Sequence, residues 1–220
     1  LRGVIGAYGS VLVAYSGGVD SAVVLRVASD VLPNRAMGCI GRSAAYPQAE
    51  LEDALALARR HHLAVRVIET DEIHDANYAA NGGDRCFHCR SHLFNRLREL
   101  ADELGFAQIV DGVHLDDESD HVGGIAAARQ HNVRSPLIEA GLGKADVRDV
   151  ARYLKMDVWD KPATACLASR IPHGTPVTIA LLDRIGRAEQ CLAGMGFGDF
   201  RVRHHGELAR IELSEADLPR

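Results

Sequence analysis

Two stretches of this chain combine residue types at spacings that could do chemistry. The first is SGGVDS, Ser16 to Ser21, standing between a short apolar run and a longer one. A strand that ends in Ser-Gly-Gly and feeds directly into a helix puts Gly17 and Gly18 where the backbone turns sharply and approaches a ligand closely; bulkier residues would block both. The free N–H groups of the first helical turn (Val19, Asp20), the positive end of the helix dipole and the hydroxyls of Ser16 and Ser21 then converge on one point, an anion site suited to phosphate. A lone Gly-Gly turn is more often a simple helix cap, with Asp20 or Ser21 satisfying free N–H groups, but the complete string favours phosphate. It lacks the lysine followed by Ser or Thr of a Walker A loop and the G-x-G-x-x-G of a dinucleotide fold, so it is a phosphate loop of another kind. The second stretch, DGVHLDDESD, residues 111–120, carries five acidic residues in ten. Alone it would read as a solvated loop and helix start. It follows an apolar run, however, and open parallel sheets place ligands at the carboxyl ends of their strands.

Positioning these stretches requires a sheet, and the chain alternates accordingly. Val11–Tyr15, Ala36–Ile40, Ala64–Ile68 and Gln108–Val110 are short apolar or β-branched runs, with helical patterns between them at Ser21–Leu32, Pro47–His62 and Cys89–Leu104. Strand, helix, strand predicts an α/β fold: an open parallel sheet with helices on both faces. A further helix is expected over Lys144–Leu154 and another over Ile179–Met195. Lys161–Gly174 reads as irregular, and RVRHHGELARIEL as two strand pieces around Gly206. The last part is a small α+β portion, and because the chain starts at Leu1 without a methionine it is expected to belong to a longer protein.

Composition narrows the classes. The chain has 220 residues, 47% of them hydrophobic, enough for one good core and the start of a second small unit. A net charge of -5 gives no global field for a polyanion, so no nucleic-acid partner is expected. No apolar run approaches the roughly 20 residues that cross a bilayer, and the N-terminal residues lack a signal-peptide layout. No membrane partner and a cytoplasmic location are the expectations. Five cysteines, at 39, 86, 89, 166 and 191, are an odd number in a chain with an ordinary core, which points to reduced thiols.

SGGVDS on a strand-to-helix turn resembles the PP-loop of the ATP pyrophosphatases. That resemblance implies ATP bound with its pyrophosphate in the loop, cleavage between the α- and β-phosphates, and transfer of AMP to a carboxylate or carbonyl oxygen. Since the loop carries no cation, magnesium is expected to bridge the phosphates, with Asp20 a candidate to position that metal or a loop N–H. In such proteins the stretch after the fourth strand reads Asp-Gly-Thr-Asn-x-Asp-Asp; here Asp111, Gly112, Asp116 and Asp117 match, while Val113 and His114 replace the Thr-Asn pair. The strings DRCFHCR, RSPLIEAGL, DKPATACLASRIP and RVRHHGELARIE extend the resemblance over essentially the whole chain to one branch, the LarE-type ATP-dependent sacrificial sulfur transferases of nickel-pincer nucleotide biosynthesis. The branch implies that a pyridinium dicarboxylate mononucleotide is adenylated and attacked by a cysteine of the protein, whose carbon–sulfur bond then breaks to leave thiocarboxylate and dehydroalanine. On this resemblance 1–165 is the PP-loop ATP-binding domain and 166–220 the sulfur-transfer and substrate-binding portion, and a homo-oligomer is expected.

The matching cysteine is Cys166. A cysteine among alanines is ordinarily a small core residue, but Arg170 four residues on and Lys161 nearby supply positive charge that stabilises a thiolate. Ser169 and Arg170 suit a nucleotide phosphate, and Arg201 and Arg203, alternating on a strand, would point to one face and complete the pocket; otherwise they are exposed strand arginines. Glu189 matches an acidic position the resemblance associates with extra metal. The single C-x-x-C, Cys86 and Cys89, supplies two ligands where a structural zinc needs four. The resemblance puts it beside the substrate, with Phe87 to stack on a pyridinium ring. An iron–sulfur cofactor is not expected; a cluster-bearing sulfur transferase using Cys86, Cys89 and Cys166 is one alternative. A tRNA-thiolating enzyme and a non-catalytic adenine-nucleotide sensor are the others.

Overall fold

The computed structural model describes residues 1–118, 122–162, 164–215 and 217–218; Ser119 and Asp120 of the acidic stretch and Ala163 beside the candidate thiol lie outside the described residues. The strands are β1 (Val11–Ala14), β2 (Ala36–Arg42), β3 (Val65–Glu69), β4 (Gln108–Val110), β5 (Phe200–His205) and β6 (Leu208–Leu213). The helices are α1 (Arg2–Ala7), α2 (Val19–Val31), α3 (Gln48–Arg60), α4 (Ala76–Ala79), α5 (Arg85–Leu104), α6 (Val122–Gln130), α7 (Pro136–Glu139), α8 (Lys144–Tyr153) and α9 (Ile179–Gly194). They form two compact units. One comprises Leu1–Arg42, Gln48–Thr70 and Cys86–Thr164, the other Ser43–Pro47, Asp71–Arg85 and Ala165–Arg220.

In the first unit four parallel strands run in the order β3-β2-β1-β4. Both faces are covered, because residues alternate across each strand. Leu12, Cys39 and Ile109 turn to one face, where they meet Phe94, Leu97, Leu100 and Ala101 of α5 and Ala127 and Ala128 of α6. The α5 residues recur at helical spacing, which is why this helix lies against the sheet along one stripe. On the other face α2 approaches so closely that a Cβ on Gly38 would come within 2.6 Å of Leu25. Burial pushes the Cys39 thiol up to about 12, so it is a core residue and no nucleophile. The parallel sheet flanked by helices is the architecture expected from the alternation.

Two differences from the sequence reading have local causes. Helix α5 starts at Arg85, four residues earlier than expected, so the C-x-x-C lies on its first turn. Helix α6, VGGIAAARQ, escaped notice because two glycines blur its pattern, although Ala127 and Ala128 are buried.

In the second unit β5 and β6 form an antiparallel hairpin about Gly206, whose φ of 67° is the left-handed conformation such a turn requires. Helix α9 opens on Thr178, whose hydroxyl accepts the Leu181 N–H at 3.2 Å. Among the described residues no helix is long and apolar enough to cross a membrane.

Candidate active site

The order β3-β2-β1-β4 makes the chain leave β1 in one direction and return to β4 on the other side, so the carboxyl ends of β1 and β4 flank a switch point of the kind that binds nucleotides. SGGVDS leaves β1 there and DGVHLDD leaves β4 beside it. Gly17 has φ +75°, and a Cβ on it would lie 2.5 Å from Ala54 Cβ, so both conformation and space demand glycine. Gly18 is different: it is extended, and a Cβ would meet only Ser16 Oγ at 3.5 Å. The Ser21 hydroxyl lies 3.2 Å from that of Ser16, accepts the Ser16 N–H at 3.1 Å and sits 3.3 Å from the Gly18 carbonyl, fixing the curve of the loop. From the β4 side, a Cβ on Gly112 would lie 2.6 Å from the Ser21 nitrogen, so only glycine lets this backbone support the first turn of α2.

The carboxylates around the loop are already partnered. Buried Asp111 accepts from Ser135 Oγ at 2.8 Å and from the Val113 N–H at 3.2 Å, with Arg90 at 3.4 Å. Burial still raises its pKa, the guanidinium and the hydrogen bonds opposing. It holds the 111–114 turn. Both oxygens of Asp20 accept from Lys144 Nζ, at 2.8 and 2.7 Å, and buried His114 places Nε2 3.7 Å from Asp20 and 3.4 Å from Asp117. Asp116 accepts the Lys144 N–H at 2.6 Å, and so anchors the start of α8. Lys144 thus brings to the loop the cation that the loop itself lacks. Beside Gly17 a cavity of about 280 Å³ is lined by Asp53, Leu57 and Arg60 of α3 with Asp157, Val158 and Lys161. Glu50 of α3 takes Lys161 Nζ on one oxygen at 2.9 Å and Thr164 Oγ1 on the other at 3.1 Å.

In the second unit, exposed Cys166 is the residue before a 3₁₀ turn, Leu167–Arg170, and its carbonyl accepts the Ser169 N–H at 2.9 Å. Arg170 points inward, with only 3% of its side chain exposed. Its Nε and Nη2 meet the two oxygens of Glu189 at 2.9 and 3.3 Å, and Nη1 donates to the carbonyls of Ala165 (2.7 Å) and Cys166 (3.3 Å). Glu189 also accepts the Val202 N–H at 2.9 Å, tying α9 to β5. Arg203 donates to Glu212 at 2.7 Å and to the Ser169 carbonyl at 3.2 Å. Arg201, on the same strand face, is half-buried.

Over 209 residues the chain is 35% identical to the pyridinium-3,5-bisthiocarboxylic acid mononucleotide synthase of Lactiplantibacillus plantarum, covering 94% of this chain and 76% of that protein. The chain belongs to this LarE family of PP-loop proteins. It is also 43% identical over 213 residues to an uncharacterized protein of Synechocystis, covering 97% of this chain and 80% of the relative. The family described as NAD synthase matches residues 5–103, the segment that carries the PP-loop. Among solved structures, NMN synthetase from Francisella tularensis aligns with a TM-score of 0.57 at 20% identity, over 71% of this chain and 67% of that one, a likeness of fold.

Against the LarE-type expectations, Ser16, Gly17, Gly18, Val19, Asp20 and Ser21 come together in one loop at the end of β1. Cys166, Ser169, Arg170, Glu189 and Arg203 come together in the second unit. Phe87, on the first turn of α5, is partly buried against the core of the first unit, edge-on to His88. As placed, the carboxylates do not suit a metal: Asp20 gives both oxygens to an ammonium and Glu189 gives both to a guanidinium. Among the described residues no group of three His, Cys, Asp or Glu side chains is arranged to hold an ion. Lys144 stands at the loop without a role in the sequence reading, where its one signal was a lone lysine opening a helix after EAGLG, and His114, read there only as a departure from Thr-Asn, lies buried beside Asp20 and Asp117.

The Arg170–Glu189 pair carries a stability prediction. Removing one partner of a buried, hydrogen-bonded pair costs about 3–5 kcal/mol because the other charge stays behind unpaired. Glu189→Ala is expected to destabilise the second unit by that order, and Glu189→Leu with Arg170→Met by clearly less; urea unfolding of both variants checks it.

Proposed function

We propose that this chain is an ATP-dependent, AMP-forming sulfur transferase that converts a carboxylate of a pyridinium dicarboxylate mononucleotide to a thiocarboxylate with the sulfur of Cys166. One observation carries the reading: the only cysteine in the string DKPATACLASRIP is exposed, at the head of a turn whose carbonyls are held from inside, in a chain 35% identical to a protein named for making a bisthiocarboxylate. The loop N–H groups of residues 16–21 bind the pyrophosphate of ATP, and the substrate carboxylate attacks the α-phosphorus to give acyl adenylate and pyrophosphate. The Cys166 thiolate then attacks the acyl carbon and AMP leaves, giving a thioester. Loss of the Cys166 Cα proton to a base sends its electron pair into a Cα–Cβ double bond, and the Cβ–S bond breaks, so the sulfur departs with the acyl group and dehydroalanine remains. Arg201, Arg203 and Ser169 are assigned to the substrate phosphate. Arg170 holds the turn and Glu189 holds Arg170. Magnesium would come with the nucleotide's phosphates, and Asp20, once Lys144 has turned to those phosphates, would be free to position it.

The first test is whether pyrophosphate release from ATP depends on the mononucleotide and is matched by thiocarboxylate. Release triggered by tRNA would favour the tRNA-thiolating reading, and nucleotide binding without release would favour a sensor.

Lys144 is assigned to the phosphates, leaving Asp20 when ATP binds. Lys144→Met is expected to lower the single-turnover rate of pyrophosphate release at sub-saturating ATP about 10- to 100-fold, the worth of one or two hydrogen bonds to a charged group. The double variant with Asp20→Asn decides the cause. Recovery would mean that Lys144 only neutralises Asp20; no recovery is expected.

A further inference from the structure

The segment that carries Cys166 is gripped by two side chains to which nothing above gives a part in the chemistry. Asn81 is fully buried and holds φ +56°, a left-handed conformation uncommon outside glycine. Its Nδ2 donates to the carbonyls of Pro172 and Thr175, both at 2.9 Å, and reaches that of Ile171 at 3.4 Å. Its own carbonyl accepts the Gly174 N–H at 3.0 Å. Its Oδ1 accepts from Arg85 Nη1 at 2.6 Å, and the same nitrogen donates to the Ala168 carbonyl at 2.9 Å. Arg85 is itself only 6% exposed. Counting Arg170 and Arg203, the carbonyls of residues 165, 166, 168, 169, 171, 172 and 175 are all met by side-chain donors. The loop has no strand ladder of its own, so these donors replace one. Apolar residues at 81 and 85 would leave these carbonyls unpaired, so the conformation of this largely buried turn is set by two buried polar side chains, one of them at a left-handed backbone position.

We propose that Asn81 and Arg85 are positioning residues for sulfur donation: they fix the 166–175 segment so that the Cys166 thiol meets the activated acyl carbon, and they take no part in adenylation. This rests on the reading of Cys166 as sulfur donor. A thiol fixed in place reacts with a bound acyl group far faster than one on a mobile loop, since the entropy of alignment is lost in folding and not in the reaction. The phosphate loop belongs to the other compact unit and uses none of these bonds.

Single-turnover reactions with ATP and the pyridinium dicarboxylate mononucleotide test the proposal. They would compare the parent chain, Asn81→Gly, Arg85→Ala and Arg85→Lys, following pyrophosphate release and dehydroalanine at residue 166 in the same samples. Asn81→Gly keeps the left-handed backbone and removes only the amide. Asn81→Gly and Arg85→Ala are expected to slow dehydroalanine formation at least about tenfold while pyrophosphate release stays within about twofold, and Arg85→Lys to recover part of the loss. Equal falls in both steps would make the two residues merely structural and overturn the proposal, as would no fall in either. If the parent releases pyrophosphate but forms no dehydroalanine, the donor reading fails. Amide hydrogen exchange of 165–175 then decides the grip by itself: faster exchange there in Asn81→Gly, with the 16–21 loop unchanged, supports it, and unchanged exchange overturns it.

Discussion

Cys166→Ser is expected to release pyrophosphate and form no thiocarboxylate. Serine nearly preserves the size of the side chain, and the turn it heads is held through backbone carbonyls that the substitution leaves in place. What is lost is the thiolate and the sulfur atom. An alkoxide is not available near neutral pH without a strong base, and an ester at residue 166 would carry no sulfur to deliver. The reaction should therefore stop at the acyl adenylate, read as pyrophosphate without sulfur product by mass spectrometry. The other thiols are not expected to substitute: Cys39 is buried and held protonated, and Cys86, Cys89 and Cys191 lie outside DKPATACLASRIP, the string that carries the donor position. Sulfur transfer by Cys166→Ser would remove the donor assignment.

The two glycines of the phosphate loop should fail in different ways. A side chain on Gly18 has room, meeting only Ser16 Oγ at 3.5 Å, so Gly18→Val leaves the fold standing. Its branched side chain occupies the space in front of the loop N–H groups, and substrate-dependent pyrophosphate release should drop by at least about a hundredfold, as when fixed donors to a developing charge are lost. Gly17→Val drives a side chain into Ala54 at a backbone conformation that only glycine adopts cheaply. It should lose activity and also on the order of 1–3 kcal/mol or more of stability. Thermal unfolding beside pyrophosphate release separates the two. A Gly18→Val chain that releases pyrophosphate at the parent rate would show that this loop does not bind the phosphates.

The sheet and the loop were legible because they are local. Four apolar runs, three helical patterns and a glycine pair between β1 and α2 each declare themselves within twenty residues. DGVHLDD was legible as a site because it follows a strand. What stayed hidden depends on partners far apart in the chain. Lys144 meets Asp20 across 124 positions, and Asn81 meets Thr175 across 94. Arg170 reads in sequence as a phosphate fork, and only the fold shows its three guanidinium nitrogens turned toward Glu189, the Ser169 hydroxyl and the carbonyls of Ala165 and Cys166. Residue type gave the charge correctly; direction is a property of packing, which no spacing encodes. The start of α5 was missed although Asp84, a capping residue type, stands just before it, because CFHC reads as a cysteine motif before it reads as a helix.

The most direct measurement is the intact mass of the chain before and after turnover with ATP and the pyridinium dicarboxylate mononucleotide, with fragment mapping of residue 166. The account predicts that each chain loses one hydrogen sulfide, that the loss maps to dehydroalanine at Cys166, and that thiocarboxylate never exceeds one sulfur per chain without another donor. Repeated turnover with unchanged mass and an iron–sulfur cluster bound would contradict it, and would make Cys166 a cluster ligand beside Cys86 and Cys89.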